Sequence, residues 1–156
     1  MIECKPPEQV DLKAEDKVVF LAGSIEMGVA EDWQAQVVSA LGGQKGFIFN
    51  PRRDNWDSSW IQSKDNPQFR EQVEWELRYQ DEADILVIYF SPGTKSPITL
   101  LELGLAIPGG YTRQKVVVCC PEGFWRKGNV DIVCERFGIL QVYSLEQIVT
   151  YIQSAW

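Results

Sequence analysis

Glu102 is the acidic residue whose sequence context most clearly suggests chemistry. It lies in the apolar stretch 98–107, ITLLELGLAI. Its neighbours three and four positions away on a helix would be Ile98, Thr99, Leu105 and Ala106. None is a cation, and burying a carboxylate without a partner costs several kcal/mol. Two interpretations remain open: Glu102 is a reactive carboxylate beside a cleft, or it is a structural residue held by hydrogen bonds.

The absence of histidine limits the catalytic mechanisms that the chain can use. The chain contains no His and four Cys, with neither a C-x-x-C pair nor zinc-ligand spacing. These facts exclude Ser-His-Asp and Cys-His catalysis and most zinc hydrolase schemes. We expect the cysteines to be buried free thiols in a reducing compartment. General acid–base catalysis would then have to use carboxylates, Tyr, Lys or Cys.

Length and charge limit the class of partner. The 156 residues, 45% of them hydrophobic, suit one domain with a single core. A net charge of -7 argues against duplex nucleic acid as a partner, because phosphate backbones favour basic surfaces. There is no apolar run of roughly 20 residues and no apolar stretch typical of a secretory signal. We therefore expect a cytoplasmic protein without a membrane partner.

Apolar runs and breaks predict alternating strands and helices. The predicted strands are 17–22, 47–50, 84–90, 115–120 and 139–143. The predicted helices are 31–41, 67–82, 97–107, 125–137 and 145–156, with Asn66, Ser96 and Ser144 as N-caps. This alternation favours an α/β domain over 17–156, preceded by an N-terminal arm over 1–16. Right-handed crossovers then give a doubly wound, flavodoxin-like, five-stranded parallel sheet of order 2-1-3-4-5.

Helical spacing also predicts which side chains face the core. In the first helix the apolar stripe comprises Trp33, Val37, Val38 and Leu41. In the second helix, Phe69, Val73 and Leu77 form the corresponding stripe, with Trp75 as a further candidate for the core.

A ligand site is expected beyond the carboxyl ends of the strands, where the strand order reverses. The loops at this edge are 23–28, 50–66 and 91–96. The second contains Arg52, Arg53, Asp54 and Trp56. It is either a solvated loop or a functional lid, with Trp56 or Trp60 available to stack on a base. Asp84 begins the third predicted strand at the opposite edge, so we assign it a structural role.

Five segments resemble the nucleoside 2-deoxyribosyltransferase superfamily. They are FLAGSI at 20–25, NPRRDNWD at 50–57, QVEWEL at 72–77, AD at 83–84 and SPITLLELG at 96–104. The resemblance implies that Glu102, in Glu102-Leu103-Gly104, is the catalytic nucleophile. It also implies that Glu76 is the acid that protonates the departing base, with Asp54 and Asp57 as alternatives. The residues expected to bind substrate are Gly23, Ser24, Asn50, Arg52, Arg53, Asp54, Trp56, Gln72 and Ser96.

The resemblance implies an enzyme that breaks or exchanges the N-glycosidic bond of a small nucleoside or nucleotide. Its covalent glycosyl-Glu chemistry needs neither a metal nor an organic cofactor, and the family suggests a homo-oligomer. Two alternatives remain: a nucleoside or nucleotide N-hydrolase, and a nucleotide- or flavin-binding module without chemistry.

Three departures from the family pattern bear on the substrate. Phe20 stands where many members have a Tyr that holds the nucleophile. Glu26 stands where related deoxynucleoside-monophosphate hydrolases have an Arg, which favours a nucleoside over a nucleotide unless Arg52 and Arg53 clamp an anion. The segment 91–99 lacks the Asp of the transferases, which implies different base selection or hydrolytic activity.

Overall fold

Six parallel strands form one sheet in the computed structural model, which describes residues 1–26, 30–107 and 115–156. The strands are β1 (Ile2–Cys4), β2 (Val18–Gly23), β3 (Phe47–Phe49), β4 (Ile85–Tyr89), β5 (Lys115–Cys119) and β6 (Leu140–Val142). Their spatial order is β1-β3-β2-β4-β5-β6, and every neighbouring pair is parallel. The α/β class and the order of the five predicted strands are confirmed.

The predicted strand count was one too low. Ile2–Cys4, which falls within the predicted arm, pairs with β3 and places Ile2 opposite Phe47 and Cys4 opposite Phe49. A strand of three residues shows no readable alternation, so sequence periodicity could not reveal it. The domain boundary at residue 17 stays a prediction.

Five helices cover the two faces of the sheet in the described ranges. They are α1 (Trp33–Ala40), α2 (Pro67–Glu82), α3 (Pro97–Ala106), α4 (Lys127–Phe137) and α5 (Leu145–Ser154). Alternate residues of the central strands enter two separate cores: Phe20 packs with residues of α2, α3 and α4, and Leu21 packs with residues of α1 and α5. Burial on both faces explains the continuous apolar runs of β2 and β4. None of these five helices is both long and apolar enough to cross a membrane.

Helix capping was predicted correctly at two of three positions. The Asn66 side chain accepts from the Phe69 backbone N–H at 3.0 Å, and Ser144 accepts from Gln147 N–H at 3.3 Å. Ser96 precedes α3, but its side chain makes no capping bond to the helix backbone. Its hydroxyl lies instead against the Ser24 hydroxyl at 2.6 Å. A buried competing partner therefore removed the expected cap.

The predicted core face of α2 was correct only at Trp75. Trp75 and Tyr79 enter the core, whereas Phe69, Val73 and Leu77 line a cavity. Both buried aromatics also anchor the segment before β2, because Trp75 Nε1 donates to the Glu8 carbonyl and Tyr79 Oη accepts from Val10 N–H. An apolar cavity wall and a core face have the same sequence pattern, which is why periodicity could not separate them.

Two further sequence interpretations are confirmed by the structure. Asp84 Oδ2 accepts from the Val18 backbone N–H at 2.9 Å, which ties the beginnings of two adjacent strands together. All four cysteines are buried free thiols. Burial raises the pKa of Cys119 and of Cys120 to about 12, so these thiols are poor nucleophiles.

Candidate active site

A cavity of about 760 Å³ opens beyond the carboxyl ends of β2 and β3. Its walls come from Ile25 after β2, from 51–56 after β3, and from one face each of α2 and α3. This volume lies within the range of roughly 300–1,000 Å³ that is typical of small-molecule sites. The loop 91–96 contributes no residue to the lining, although it precedes α3.

Glu76 and Glu102 face this cavity from opposite helices. Glu102 Oε1 accepts a hydrogen bond from Gln80 Nε2 at 2.7 Å, and Glu76 Oε1 accepts one from Gln72 Nε2 at 2.7 Å. Gln72, Glu76 and Gln80 are spaced by four residues and so share one face of α2. Within the described residues, neither carboxylate forms an ion pair with Lys or Arg. Each is thus held by a neutral amide while it faces open space.

The environment of both carboxyl groups favours their protonated forms. Burial raises the pKa of Glu76 to about 7, and the Gln72 hydrogen bond opposes part of this rise. Burial also raises the pKa of Glu102 to about 8, to which the negative charge of Glu76 contributes, against the hydrogen bond from Gln80. The two groups therefore titrate as a coupled pair near neutral pH. One protonated and one ionised carboxyl group can coexist there.

The arginines of the cavity wall already have partners. Arg52 Nε lies 3.4 Å from Asp32 Oδ1, and its guanidinium also donates to the Glu31 carbonyl at 3.1 Å. Arg53 donates to Glu71 at 3.1 Å. These bonds hold both cations against protein carboxylates or carbonyls.

Aromatic rings and an ion pair order the rest of the 50–66 loop. Trp56 contacts Trp60 edge-on with ring centroids 5.2 Å apart, and the Arg53 guanidinium lies 5.2 Å from the Trp60 ring centroid. Asp54 pairs with Lys5 at 2.7 Å. The loop therefore presents the Trp56 indole to the cavity, while Lys5, directly after β1, binds Asp54.

A family model described as nucleoside 2-deoxyribosyltransferase like matches residues 16–124. The chain belongs to this family. A comparison with curated proteins found no match. The matched range includes both cavity carboxylates and the glutamines that bind them.

Four residues predicted to bind substrate in this nucleoside 2-deoxyribosyltransferase-like chain lie outside the cavity lining. They are Gly23, Ser24, Asn50 and Ser96. At Gly23, with φ of +149°, an added Cβ would lie 2.5 Å from the Tyr89 carbonyl oxygen, so close packing with β4 requires glycine there. Asn50 donates to Glu3 at 2.7 Å and accepts from Arg52 N–H at 3.0 Å. Their roles as substrate contacts stay predictions.

Ser24, Thr94 and Ser96 form a buried cluster that we call the hydroxyl cluster. Its oxygens lie 2.6 Å apart for Ser24 and Ser96, 2.8 Å for Thr94 and Ser96, and 3.1 Å for Ser24 and Thr94. Ser24 also accepts from Ser91 N–H at 2.9 Å. The cluster thereby fixes the turn between β4 and α3. Met27 and Gly28 of the predicted 23–28 loop lie outside the described residues.

The sequence analysis missed the role of Gln80 and the backbone contacts of Glu26. Gln80, which binds Glu102, lies four residues after Glu76, and this spacing was the signal that could have revealed it. Glu26 accepts from the backbone N–H groups of Lys95 and Ser96, just before α3. Only coordinates show this contact, because about 70 residues separate the partners in the chain.

Proposed function

We propose that the protein cleaves or exchanges the N-glycosidic bond of (deoxy)nucleosides through a covalent glycosyl-Glu102 intermediate. The observation that carries this proposal is the pair Glu76 and Glu102, two carboxyl groups with pKa values raised to about 7 and 8 that face one cavity. Family membership supports the same reaction class.

In the first step, ionised Glu102 attacks the anomeric carbon C1′ as the bond from C1′ to the base nitrogen breaks. The bonding electrons leave with the base, and protonated Glu76 transfers its proton to a base nitrogen. In the second step, another base or water attacks C1′, Glu76 accepts its proton, and the ester to Glu102 breaks. Atoms and charges balance, and the pair begins and ends with one proton.

The glutamine hydrogen bonds stabilise the ionised form of either carboxyl group, so they do not by themselves assign the two roles. With a pKa of about 7 for Glu76 and about 8 for Glu102, a single shared proton resides mainly on Glu102 in the free site. The reaction therefore proceeds from the less populated form, in which Glu76 carries the proton and the ionised Glu102 is held by Gln80. The core residue Phe20, which carries no hydroxyl group, lies next to Trp75 with ring centroids 6.1 Å apart. Gln80 therefore provides the contact that the family resemblance assigns to a tyrosine.

The remaining walls suit a base and a sugar. Trp56 offers an aromatic face, and base stacking on such rings contributes roughly 1–3 kcal/mol per base. Leu101 and Leu105 of α3 and Val73 of α2 supply apolar surface around the carboxyl groups.

Incubation with 2′-deoxyadenosine, with and without free cytosine, tests the proposal by chromatography. Formation of deoxycytidine indicates a transferase, and release of adenine without deoxycytidine indicates a hydrolase. Turnover should vanish in Glu102→Gln and fall roughly 100-fold or more in Glu76→Gln. Glu135→Gln, on the exposed surface of α4, is the matched control and should keep full activity.

A second measurement separates catalysis from binding. Rapid acid quenching followed by intact-protein mass spectrometry should detect the mass of one deoxyribosyl group on the wild type and none on Glu102→Gln. A wild type that binds nucleosides without turning them over, with equal affinity in Glu102→Gln, contradicts the proposal and favours a binding module. Cytoplasmic location and a homo-oligomeric state stay predictions.

A further inference from the structure

Gln72 connects the proposed acid to the loop wall of the cavity through one nitrogen atom. Its Nε2 donates to the Pro51 carbonyl at 2.9 Å and to Glu76 Oε1 at 2.7 Å. Pro51 begins the wall that follows β3, whereas Glu76 lies about one helical turn after Gln72 on α2. The Gln72 side chain therefore bridges the loop wall and the helix wall of the same cavity.

The Pro51 carbonyl fixes which way the Gln72 amide points. A peptide carbonyl oxygen can only accept hydrogen bonds, so the nitrogen of the amide must face it. The opposite orientation would place Gln72 Oε1 against the Pro51 oxygen and would remove the donor that binds Glu76. Gln72 therefore presents a donor to Glu76 Oε1 in every protonation state of that carboxyl group.

The oxygen of the same amide shows that this arrangement carries a cost. Gln72 is 4% exposed, and within the described residues its Oε1 is buried without a hydrogen-bond partner. An unpaired buried acceptor destabilises a folded protein, and such groups are rare. An apolar side chain of similar size would avoid this cost but would leave Pro51 and Glu76 without their donor. A role for the two bonds from Nε2 explains why a glutamine is present.

We infer that Gln72 is a positioning residue that occupies Glu76 Oε1, so that Glu76 Oε2 carries the proton delivered to the departing base. This inference rests on the proposed function. In a protonated carboxyl group the oxygen without the proton is the better acceptor, so the bond from Gln72 directs the proton to Oε2. Gln72 thus acts through Glu76, because its own oxygen is buried and its nitrogen is already bound.

Loss of Gln72 should have two opposing effects on the rate. Burial raises the pKa of Glu76 and the Gln72 hydrogen bond opposes part of that rise, so removing the bond moves the shared proton from Glu102 towards Glu76. With pKa values of about 7 and 8, Glu76 holds that proton roughly one tenth of the time, so the gain is at most about tenfold. Misplacing a catalytic group by about 1 Å costs roughly 100-fold. A positioning role therefore predicts a net loss of about tenfold.

The test compares two substrates that differ in their need for an acid. Adenine leaves 2′-deoxyadenosine with a proton from the enzyme, whereas the cationic base of 7-methyl-2′-deoxyguanosine leaves as a neutral molecule without one. At pH 7, Gln72→Met should lower kcat for 2′-deoxyadenosine roughly tenfold with little change in KM. It should keep kcat for 7-methyl-2′-deoxyguanosine, corrected for spontaneous cleavage, within about twofold of the wild type. Glu76→Gln should show the same contrast more strongly.

A matched control lies on the same helix. Gln68 is one turn before Gln72 on α2 and is exposed, so Gln68→Met should leave both rates unchanged. An unchanged or faster reaction of 2′-deoxyadenosine in Gln72→Met overturns the inference. An equal loss with both substrates also overturns it, because that result indicates a structural effect rather than a misplaced acid.

A titration without turnover separates this inference from the proposed function. Carbon-13 NMR of protein labelled at the glutamate carboxyl carbons should show the pKa of Glu76 raised by about one unit or more in Gln72→Met, compared with Gln68→Met. The Glu76 signal is identified by its absence in Glu76→Gln. If the wild type processes neither nucleoside, the proposed function fails. An unshifted Glu76 titration in folded Gln72→Met overturns the role of Gln72 whether or not the wild type is active.

Discussion

Replacing Gln80 by Leu tests how the protein holds its proposed nucleophile. The substitution keeps a similar volume but removes the amide that donates to Glu102 Oε1 at 2.7 Å. Hydrogen bonds to charged groups contribute roughly 1.5–3 kcal/mol, which corresponds to about one or two pKa units. The pKa of Glu102, already raised to about 8, should therefore rise further in Gln80→Leu.

The expected result is a shift of the pH–rate profile. Because the reactive form needs ionised Glu102 beside protonated Glu76, a higher pKa of Glu102 should lower the maximum of kcat/KM roughly 10- to 100-fold. The basic limb, which follows the higher pKa of the pair, should move upward by about one unit or more, and the acidic limb should stay in place. This shift distinguishes the effect from a general loss of structure, which would lower the rate at every pH without moving either limb.

A matched control is available elsewhere in the chain. Gln141 Nε2 donates to Asp131 Oδ1 at 2.5 Å, which reproduces a glutamine–carboxylate bond away from the cavity. Gln141→Leu should leave the pH profile unchanged. An unshifted basic limb in a folded Gln80→Leu protein, or an equal shift in Gln141→Leu, would refute the assigned role of Gln80.

Two further predictions concern stability. Gly23→Ala should lower the free energy of unfolding by about 2 kcal/mol or more in urea denaturation, because its Cβ would lie 2.5 Å from the Tyr89 carbonyl oxygen. Gly128→Ala, whose Cβ has open space in α4, should be neutral or stabilising, and an equal loss in both variants would contradict this account. The raised pKa values of Glu76 and Glu102 mean that the folded state retains protons which the unfolded state releases above pH 4.5. The free energy of unfolding should therefore decline from about pH 4.5 to 8. In the double variant Glu76→Gln, Glu102→Gln this decline should be smaller by at least about 1 kcal/mol, as measured by chemical denaturation at a series of pH values. A decline that persists unchanged in the double variant would show that other groups cause it.

Continuous apolar runs allowed the central strands to be predicted from sequence. Burial on both sides makes β2 and β4 apolar at every position, so these strands were identified together with their order. β1 has only three residues and lies at the sheet edge, where few side chains are buried. Its pairing depends on β3, and that long-range contact leaves no local pattern.

The sequence pointed to the carboxylates of the candidate site, but it did not show which surrounding residues line the cavity. Glu102 interrupts an apolar helix, and such a mismatch is visible in a sequence. Ser96 and Gly23 belong to the expected edge of the sheet, but their orientation away from the cavity depends on tertiary contacts. Phe69 was assigned to the core because an apolar wall around a ligand follows the same helical period as a core face.

Contacts from the segment containing β1 reach the loop that forms part of the cavity wall. Glu3 accepts from Asn50, and Lys5 pairs with Asp54, so both flank the turn that presents Arg52 and Arg53. This segment therefore stabilises the conformation of a loop about 50 positions away in the chain. Substitutions in it can alter substrate residence time while every cavity-lining side chain stays the same, and enzyme engineering that targets only those lining residues would overlook this means of control.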